Sequence, residues 1–394
     1  MQLVAIRVRA TVVSSSRSVA QLVITQSGPG RRIFLCGDVM TGRGIDQILP
    51  HPGDPTLQEP VADARSYVTC AEEASGPIPR PADFAWPWGE ALPVVDEFAP
   101  DVRLINLETT ITADGQFAPG KSVHYRMHPD NLECLTAIRP DACALANNHI
   151  LDFGLTGLID TLHALRGAEI ECVGAGLDCE HAERPATLAL PDGHHVVIAS
   201  GGVESSGIPR RWAATATRPG VAFIPNLSNR TAAEIADRVL ALKQPGDCTI
   251  VSPHWGSNWG YDVQPSQVRF ARRLIDAGVD LVHGHSSQHP RPIEVYRGKL
   301  ILYGCGGTVD DYEGIKGFEA YRNELRLFYF ASIEPDSGKL ITLHMTPLRA
   351  RRMRLDRASH QDAEWLRSTL ERISRRFETR VDLDIDANLT VRAS

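Results

Sequence analysis

Paired cysteines of the metal-binding kind are missing from this sequence, although it contains eight cysteines. No Cys-x-x-Cys pair occurs, and several cysteines lie inside apolar runs, where buried free thiols are common. This distribution disfavours a structural zinc knot and a disulfide framework. We therefore expect reduced cysteines and a cytoplasmic protein.

Long apolar runs and basic blocks are missing too. No run approaches the roughly 20 residues that span a bilayer, and the first residues (MQLVAIRVRATVV) carry arginines where a signal peptide has its apolar core. The formal charge of −7, with no Lys/Arg block interleaved with aromatics, argues against binding of nucleic acid. These absences predict no membrane anchor and no nucleic-acid partner.

The composition that remains is that of an ordinary globular protein, with 43% apolar and 23% charged residues in a chain of 394. We expect residues 1–30 to be a leader or an edge strand and residues 31–350 to form the main domain. Residues 351–394 are predicted to be a C-terminal helical extension packed on that domain. The proline-rich segment 50–90 is predicted to be an insertion that covers the functional site.

Short apolar runs alternate with helical patterns along the main domain, which predicts an α/β fold built as a layered sandwich. Buried strands are predicted around residues 33–38, 102–106, 142–146, 248–252 and 279–282. Hairpins are predicted for residues 186–200, 293–303 and 325–345. The main predicted helices cover residues 88–98, 154–166, 231–242, 265–277 and 362–377.

Polar side chains follow several of these strands, most clearly in LVHGHSSQH, where His283 and His285 flank Gly284. Glycine lets a backbone turn sharply, so both imidazoles could point to one place. Because strand ends in open α/β sheets border the ligand crevice, we expect the strand-end residues to converge. Together they predict a site for one or two divalent ions, formed by Asp38, Glu108, Asn148, His254, His283 and His285.

Each of these residues alone would be read as a core or capping side chain, and Asp38 in particular as a helix N-cap. Their repetition at the same topological position favours the metal site.

Five motifs in chain order, GDVMTGR, NLETTIT, LANNHILDFG, HWG and GHSSQH, resemble those of the CapA-like (poly-γ-glutamate synthesis) branch of the calcineurin-like metallophosphoesterases. The resemblance covers roughly residues 33–310 and implies the calcineurin-like fold. It places Asp38, Glu108 and His285 at one metal position, with Glu108 bridging. The implied second position consists of Glu108, Asn148, His254 and His283.

The resemblance also implies that His149 is a general acid, oriented by an acid such as Asp152. Two departures from the wider superfamily affect the metal. The usual Asp-x-His opening is Asp38-Val39-Met40 here, so one position lacks an imidazole, and Glu108 replaces the usual bridging Asp. An oxygen-rich position with few protein ligands favours Ca²⁺ or Mn²⁺ over Zn²⁺ or iron.

The same branch is similar to lasso-peptide epimerases of the MslH type, which invert the Cα of a C-terminal residue. That resemblance gives our first expectation for the reaction: acid/base epimerisation of a ribosomally made peptide. His149 with Asp152 would act on one face of the carbon, and His285 with Asp38 on the other. The predicted substrate contacts, including arginines for a terminal carboxylate, are Arg43, Arg210, Arg211 and Trp255.

Two alternatives stay open. The first is metal-dependent hydrolysis of a phosphoester or of a glutamyl-polymer amide, in which His149 protonates the leaving group. The second is a protein that binds an anionic polymer without acting on it. The expected partner is a peptide or a glutamyl polymer, and a homo-oligomer is possible.

Overall fold

The structure is a computed structural model that describes residues 30–392. The leader or edge strand predicted for residues 1–30 therefore lies outside the described residues, apart from Gly30. Within the described part of the chain, no helix is both long enough and apolar enough to cross a membrane. The eight cysteines are all described, and all are free thiols.

The helices of the described residues are α1 (Gly44–Ile48), α2 (Arg65–Ser75), α3 (Ala91–Phe98), α4 (Leu132–Thr136), α5 (Gly154–Gly167), α6 (Cys179–Glu183), α7 (Asn229–Leu240), α8 (Pro265–Ala277) and α9 (His360–Ser374). The first strands are β1 (Arg31–Val39), β2 (Val102–Leu107), β3 (Thr110–Ile111), β4 (Arg126–Met127), β5 (Ala142–Ala144), β6 (Glu171–Val173), β7 (Ala175–Gly176), β8 (Ala186–Ala189), β9 (His195–Val203), β10 (Gly220–Val221) and β11 (Phe223–Ile224). The later strands are β12 (Cys248–His254), β13 (Leu281–His283), β14 (Ile293–Tyr296), β15 (Lys299–Leu302), β16 (Gly307–Val309), β17 (Leu325–Ile333), β18 (Leu340–Ala350), β19 (Leu355–Arg357), β20 (Asp382–Leu383) and β21 (Leu389–Arg392).

Within the described residues the larger sheet has ten strands, in the order β20-β21-β18-β17-β1-β2-β5-β6, with β16 beside β1 and β19 beside β18. Strand β1 is parallel to β2 and β16 and antiparallel to β17, so it separates a parallel half from an antiparallel half. The C-terminal segment adds β19, β20 and β21 to this sheet in addition to helix α9. The predicted helical extension of residues 351–394 therefore contains strands as well as a helix.

The smaller sheet has seven strands in the part of the chain that the structure describes, in the order β11-β9-β12-β13-β15-β14, with β8 antiparallel to β9 at its side. Its centre, from β9 through β12 and β13 to β15, is parallel. Parallel strands buried on both faces are rich in apolar residues, as the segment CTIVSPH of β12 illustrates.

The two sheets pack face to face, and helices cover their outer faces. Successive strand residues point to opposite sides: Ile33 and Leu35 lie in the apolar cluster shared by both sheets, and Phe34 points to the helical side of the larger sheet. On the smaller sheet, Ile198 faces the shared cluster and Val197 faces α7 and α8. The result is a four-layer helix–sheet–sheet–helix sandwich, in agreement with the layered α/β class predicted from the sequence.

The segment 50–90 contains only helix α2 and irregular backbone. It is held to the body by tryptophans: the indole of Trp88 is fully buried and donates to the Cys134 carbonyl at 2.7 Å, and that of Trp86 donates to the Arg352 carbonyl at 3.0 Å. Its Glu59 reaches the predicted site residue Arg43.

Candidate metal centre

Strand ends from both sheets meet at one edge of the sandwich. Asp38 lies at the end of β1 and Glu108 directly after β2, and Asn148 follows β5, all in the larger sheet. His254 ends β12 of the smaller sheet, and its backbone bridges to that of His285, just beyond β13. The convergence predicted from the motif positions is therefore present.

Close backbone packing fixes this edge. A Cβ on Gly37 would lie 1.7 Å from the Gly306 carbonyl oxygen, and one on Gly284 would lie 2.6 Å from the Leu302 carbonyl oxygen, so only glycine fits at either position. The positive φ of the turn falls on Ser286 (φ 101°), not on Gly284. Gly284 is thus needed for close approach, and Ser286 has a strained conformation at the site.

Asp38, His254 and His285 form the core of the centre. One ligand atom from each lies within 4.8 Å of the other two, and all three residues are buried. Asn106 donates to Oδ1 of Asp38 at 2.7 Å, whereas Oδ2 is buried and has no hydrogen-bond partner among residues 30–392. A buried carboxylate that lies close to two imidazoles and has one oxygen without a donor is the arrangement expected where a divalent cation completes the site.

Two further predicted ligands extend this cluster. The side-chain oxygen of Asn148 lies 2.8 Å from Nε2 of His254, and Oε1 of Glu108 lies 3.8 Å from the same nitrogen. Nδ1 of His254 in turn lies 2.7 Å from Nδ1 of His285. Residues Asp38, Glu108, Asn148, His254 and His285 could therefore hold one ion, or two neighbouring ions.

The electrostatics of the two acids also fit a cation. Burial, together with mutual repulsion, raises the pKa of Glu108 well above its usual range, and burial raises the pKa of Asp38 to about 7. Removing two carboxylates from water is unfavourable unless a proton or a cation compensates them. A divalent ion bound between them would supply that compensation.

His283 does not join the cluster. Its Nε2 donates to the Cys36 carbonyl at 2.8 Å, and its Nδ1 lies 3.0 Å from the Ser252 hydroxyl. The same hydroxyl lies 2.9 Å from Nε2 of His285. Neither partner is a candidate ligand, whereas Nδ1 of His285 lies against His254 of the cluster, so the geometry does not support the prediction that His283 is a ligand.

His149 and Asp152 form a hydrogen-bonded pair beside the centre, as predicted. Nδ1 of His149 lies 2.6 Å from Oδ2 of Asp152, and its Nε2 lies 3.8 Å from Oε1 of Glu108. Burial lowers the pKa of His149 to about 4 despite the nearby carboxylate, so the imidazole is neutral at pH 7. Burial alone would raise the pKa of Asp152, but His149 and Lys121 outweigh it and lower that pKa.

The residues predicted to contact the substrate lie in different environments. The buried guanidinium of Arg43 pairs with Asp311 and Glu59, so its charge is already balanced. Trp255 is only 1% exposed and donates to the Tyr303 carbonyl inside the core of the smaller sheet, so the geometry gives a substrate contact by this residue no support.

Arg210 and Arg211 are exposed, on the short turn that contains Trp212. Nζ of Lys121 lies 5.2 Å from the Trp212 ring, so this turn lies at the rim of the centre. Binding of substrate by these two arginines stays a prediction.

Three residues of the centre were not predicted from the sequence. Asn106 connects Asp38 to Glu108, Ser252 connects His283 to His285, and Lys121 contacts Asp152 and the Asn148 carbonyl. Asn106 and Ser252 lie on motif-bearing strands, two residues before Glu108 and His254, which could have identified them. Lys121 lies in a loop with no sequence signal.

Comparison with known proteins identifies the family. A family model described as "Bacterial capsule synthesis protein PGA_cap" matches residues 32–312, well over half of the chain. The chain belongs to the PGA_cap family. This confirms the CapA-like resemblance carried by the five motifs.

Relatives of this PGA_cap protein are named for polymer or capsule synthesis. It is 61% identical over 351 residues to a "Probable polyglutamine synthesis accessory protein" of Mycobacterium tuberculosis (strain H37Rv), covering 89% of this chain and 92% of that protein. It is 27% identical over 286 residues to "PGA biosynthesis protein CapA" of Bacillus subtilis (strain 168), covering 70% of this chain and 62% of that protein. A "Capsule biosynthesis protein CapA" of Bacillus anthracis is 24% identical over 278 residues, with coverages of 70% and 59%.

None of these names refers to a peptide epimerase, so the resemblance to the MslH type is not shown. Among the solved structures that match, one has a TM-score of 0.33 and 11% identity to the PGA_cap protein over 61% of this chain and 88% of that one, too low to bear on the fold.

Proposed function

We propose that this chain is a metal-dependent hydrolase of the calcineurin-like fold that cleaves amide bonds of a glutamyl polymer. The observation that carries the proposal is the buried Asp38–His254–His285 cluster, with an unpartnered carboxylate oxygen and the hydrogen-bonded His149–Asp152 pair beside it. The names of the relatives support the substrate class, because they refer to polyglutamine, PGA or capsule synthesis.

The chain's own residues supply the proton transfers. A divalent ion held by Asp38, His254, His285, Glu108 and Asn148 would supply Lewis-acid chemistry, activating water and polarising the scissile carbonyl. Asp152 keeps Nδ1 of His149 protonated, which leaves Nε2 free to face the centre. The neutral imidazole can take a proton from the attacking water and return it to the leaving amine.

Peptide epimerisation, the first expectation from the sequence, has weaker support. It needs a second acid/base group opposite His149, and His285 was predicted for that role. Nδ1 of His285 lies 2.7 Å from His254 inside the cluster, where it would hold the ion, and Nε2 lies 2.9 Å from the Ser252 hydroxyl, so neither nitrogen is available as a base. Hydrolysis requires only one such group together with the metal site, so the geometry favours it.

The test is incubation of the purified full-length chain with poly-γ-glutamate and, in parallel, with a polyglutamine peptide, each with Mn²⁺ or Ca²⁺. We expect new amino groups and shorter chains with one of the two polymers, and no product after chelation. Parallel reactions in D₂O separate the alternatives, because epimerisation adds one deuterium without cleavage. Deuterium uptake without cleavage would contradict the hydrolase proposal, as would intact polymers under every metal condition.

A further inference from the structure

The loop of residues 112–125, which connects β3 to β4, packs against the turn that contains Asp152. The ring of Phe117 lies 5.0 Å from that of Phe153, centroid to centroid. The Ala118 N–H donates to the Asp152 carbonyl at 2.8 Å. No residue of this loop has a role in the proton transfers proposed above, although the loop is fixed to the segment that carries the acid/base pair.

The same loop supplies two of the three donors to the Asp152 carboxylate. Oδ2 accepts from Nδ1 of His149 at 2.6 Å and from the Tyr125 N–H at 2.7 Å. Oδ1 accepts from the ammonium group of Lys121. Because Asp152 is fully buried, its negative charge needs a compensating positive charge nearby, and Lys121 provides it.

The ammonium of Lys121 also reaches the backbone of a candidate metal ligand. It donates to the carbonyl of Asn148, whose side-chain oxygen lies at the metal centre. The ring of Trp212 lies 5.2 Å from Nζ, within the range of a cation–π contact, and the Lys121 side chain is only 13% exposed. Lys121 is therefore held in place at the point where the metal ligand and the acid/base pair meet along the chain.

The position of the Asp152 carboxylate determines which nitrogen of His149 carries the proton. Nδ1 of His149 lies 2.6 Å from Oδ2 of Asp152 and 3.3 Å from Nζ of Lys121. A carboxylate can only accept and an ammonium can only donate, so the short contact to Asp152 requires a proton on Nδ1. Nε2 is then left without a proton, 3.8 Å from Oε1 of Glu108.

We propose that Lys121 is a positioning residue of this centre: its ammonium holds the Asp152 carboxylate and the Asn148 carbonyl, and thereby keeps His149 oriented with a free Nε2 toward the reacting bond. The inference rests on the hydrolase function proposed above, and adds to it a residue that acts through its neighbours. Because Lys121 acts through Asp152, its loss should lower kcat and leave KM nearly unchanged.

Substitutions that remove or keep the positive charge test this role. Lys121→Met removes the charge at similar length, and Lys121→Arg keeps it. The matched control is Lys339→Met, in the exposed turn between β17 and β18. Thermal melting checks that each variant is folded. If Lys121→Met does not fold, Lys121→Gln takes its place, because its carboxamide can still donate a hydrogen bond but has no charge.

The first measurement is the cleavage rate on the polymer that the enzyme hydrolyses, at saturating metal. We expect Lys121→Met to lower kcat by about 10- to 100-fold, the usual effect of removing a residue that orients a group at a metal site. KM should not change, Lys121→Arg should recover most of kcat, and Lys339→Met should behave like the unchanged protein. An unchanged kcat in Lys121→Met would overturn the proposal.

The second measurement is nitrogen NMR of the full-length chain labelled at its histidines, with Ca²⁺ as a diamagnetic ion. A His149→Gln sample identifies the signals of His149. We expect a single form protonated at Nδ1 in the unchanged protein and in Lys121→Arg. In Lys121→Met both ring nitrogens should shift away from that form. Unchanged His149 signals in Lys121→Met would overturn the proposal whatever happens to kcat.

The two proposals fail separately. The NMR comparison needs no substrate, so if the enzyme cleaves neither polymer but the His149 signals shift in Lys121→Met, the hydrolase is wrong and the positioning role stands. If cleavage proceeds equally well in Lys121→Met and in Lys339→Met, the positioning role is wrong and the hydrolase stands.

Discussion

Two buried carboxyl groups, Asp38 and Glu108, face each other at the centre, and burial raises the pKa of both. The neighbouring side chains determine which of their oxygens are hydrogen-bonded and which remain available to bind an ion. Asn106 donates to Oδ1 of Asp38 at 2.7 Å and approaches Oε2 of Glu108 at 3.4 Å. It thereby orients the Asp38 carboxylate with Oδ2 free for an ion, in the manner of residues that support metal ligands from behind.

The hydrogen bond from Asn106 should contribute to metal affinity. We expect Asn106→Ala to weaken metal affinity by about 10- to 100-fold, because the Asp38 carboxylate loses its orientation. Competition with a metal-binding indicator dye measures the change. Asn388→Ala, in the C-terminal hairpin, is the matched control and should bind metal like the unchanged protein. Unaltered affinity in Asn106→Ala would show that this hydrogen bond does not prepare the ligand.

A substitution of His149 should impair proton transfer without affecting metal binding. Its imidazole is held by Asp152 and packs edge-on against the Tyr125 ring, 4.7 Å between centroids. We expect His149→Gln to lower kcat by about 10²- to 10⁴-fold, the usual contribution of a positioned acid/base group. Metal content by elemental analysis should not change. Loss of metal in this variant would instead make His149 part of the ion's environment.

At the scale of the elements, Asp280 fixes where β13 starts. Its fully buried carboxylate accepts from the Thr249 N–H and hydroxyl at 2.9 Å each, which attaches it to β12. It also pairs with Lys243 after α7 and with Lys299 of β15, both at 2.6 Å. The Asp280 side chain thus connects β12, which ends at His254, with β13, which leads to His285.

Breaking this junction should destabilise the protein without touching the centre. We expect Asp280→Ala to lower the free energy of unfolding by about 3–5 kcal/mol, because it leaves two lysines and the Thr249 groups without their partner. Chemical denaturation measures the loss. Asp336→Ala, an exposed turn residue, should change stability by no more than about 0.5 kcal/mol. Similar midpoints for the two variants would refute the role assigned to Asp280.

The elements themselves were largely predictable from local sequence. Helix α8 occupies residues 265–277 as predicted, because Pro265 starts it and Gly278 ends it. Helix α7 begins at Asn229, two residues before the predicted start, because Ser228 and not Asn229 is its cap. Periodicity does not reveal which strands pair, so the division into two sheets and the inward turn of His283 emerged only from long-range contacts.

In the whole molecule, the residues of the metal centre come from both sheets. Asp38, Glu108 and Asn148 come from the larger sheet, and His254 and His285 come from the smaller one. The layered architecture and the convergence of strand ends followed from the alternation of elements in the sequence. An ion bound at this edge would connect the two sheets, so its binding should also stabilise the fold.

That coupling predicts a stability that depends on metal. A ligand that binds only the folded state at 100 times its Kd adds about 2.7 kcal/mol, enough to raise Tm by several degrees in a protein of this size. We expect chelation to lower the Tm of the metal-loaded protein by several degrees, and re-addition of Mn²⁺ or Ca²⁺ to restore the original Tm. Asp38→Asn, which removes a ligand charge, should melt at one temperature with or without chelator. If that variant responded to chelation as strongly as the unchanged protein, the stabilising ion would have to lie elsewhere, and Asp38 would not belong to its site.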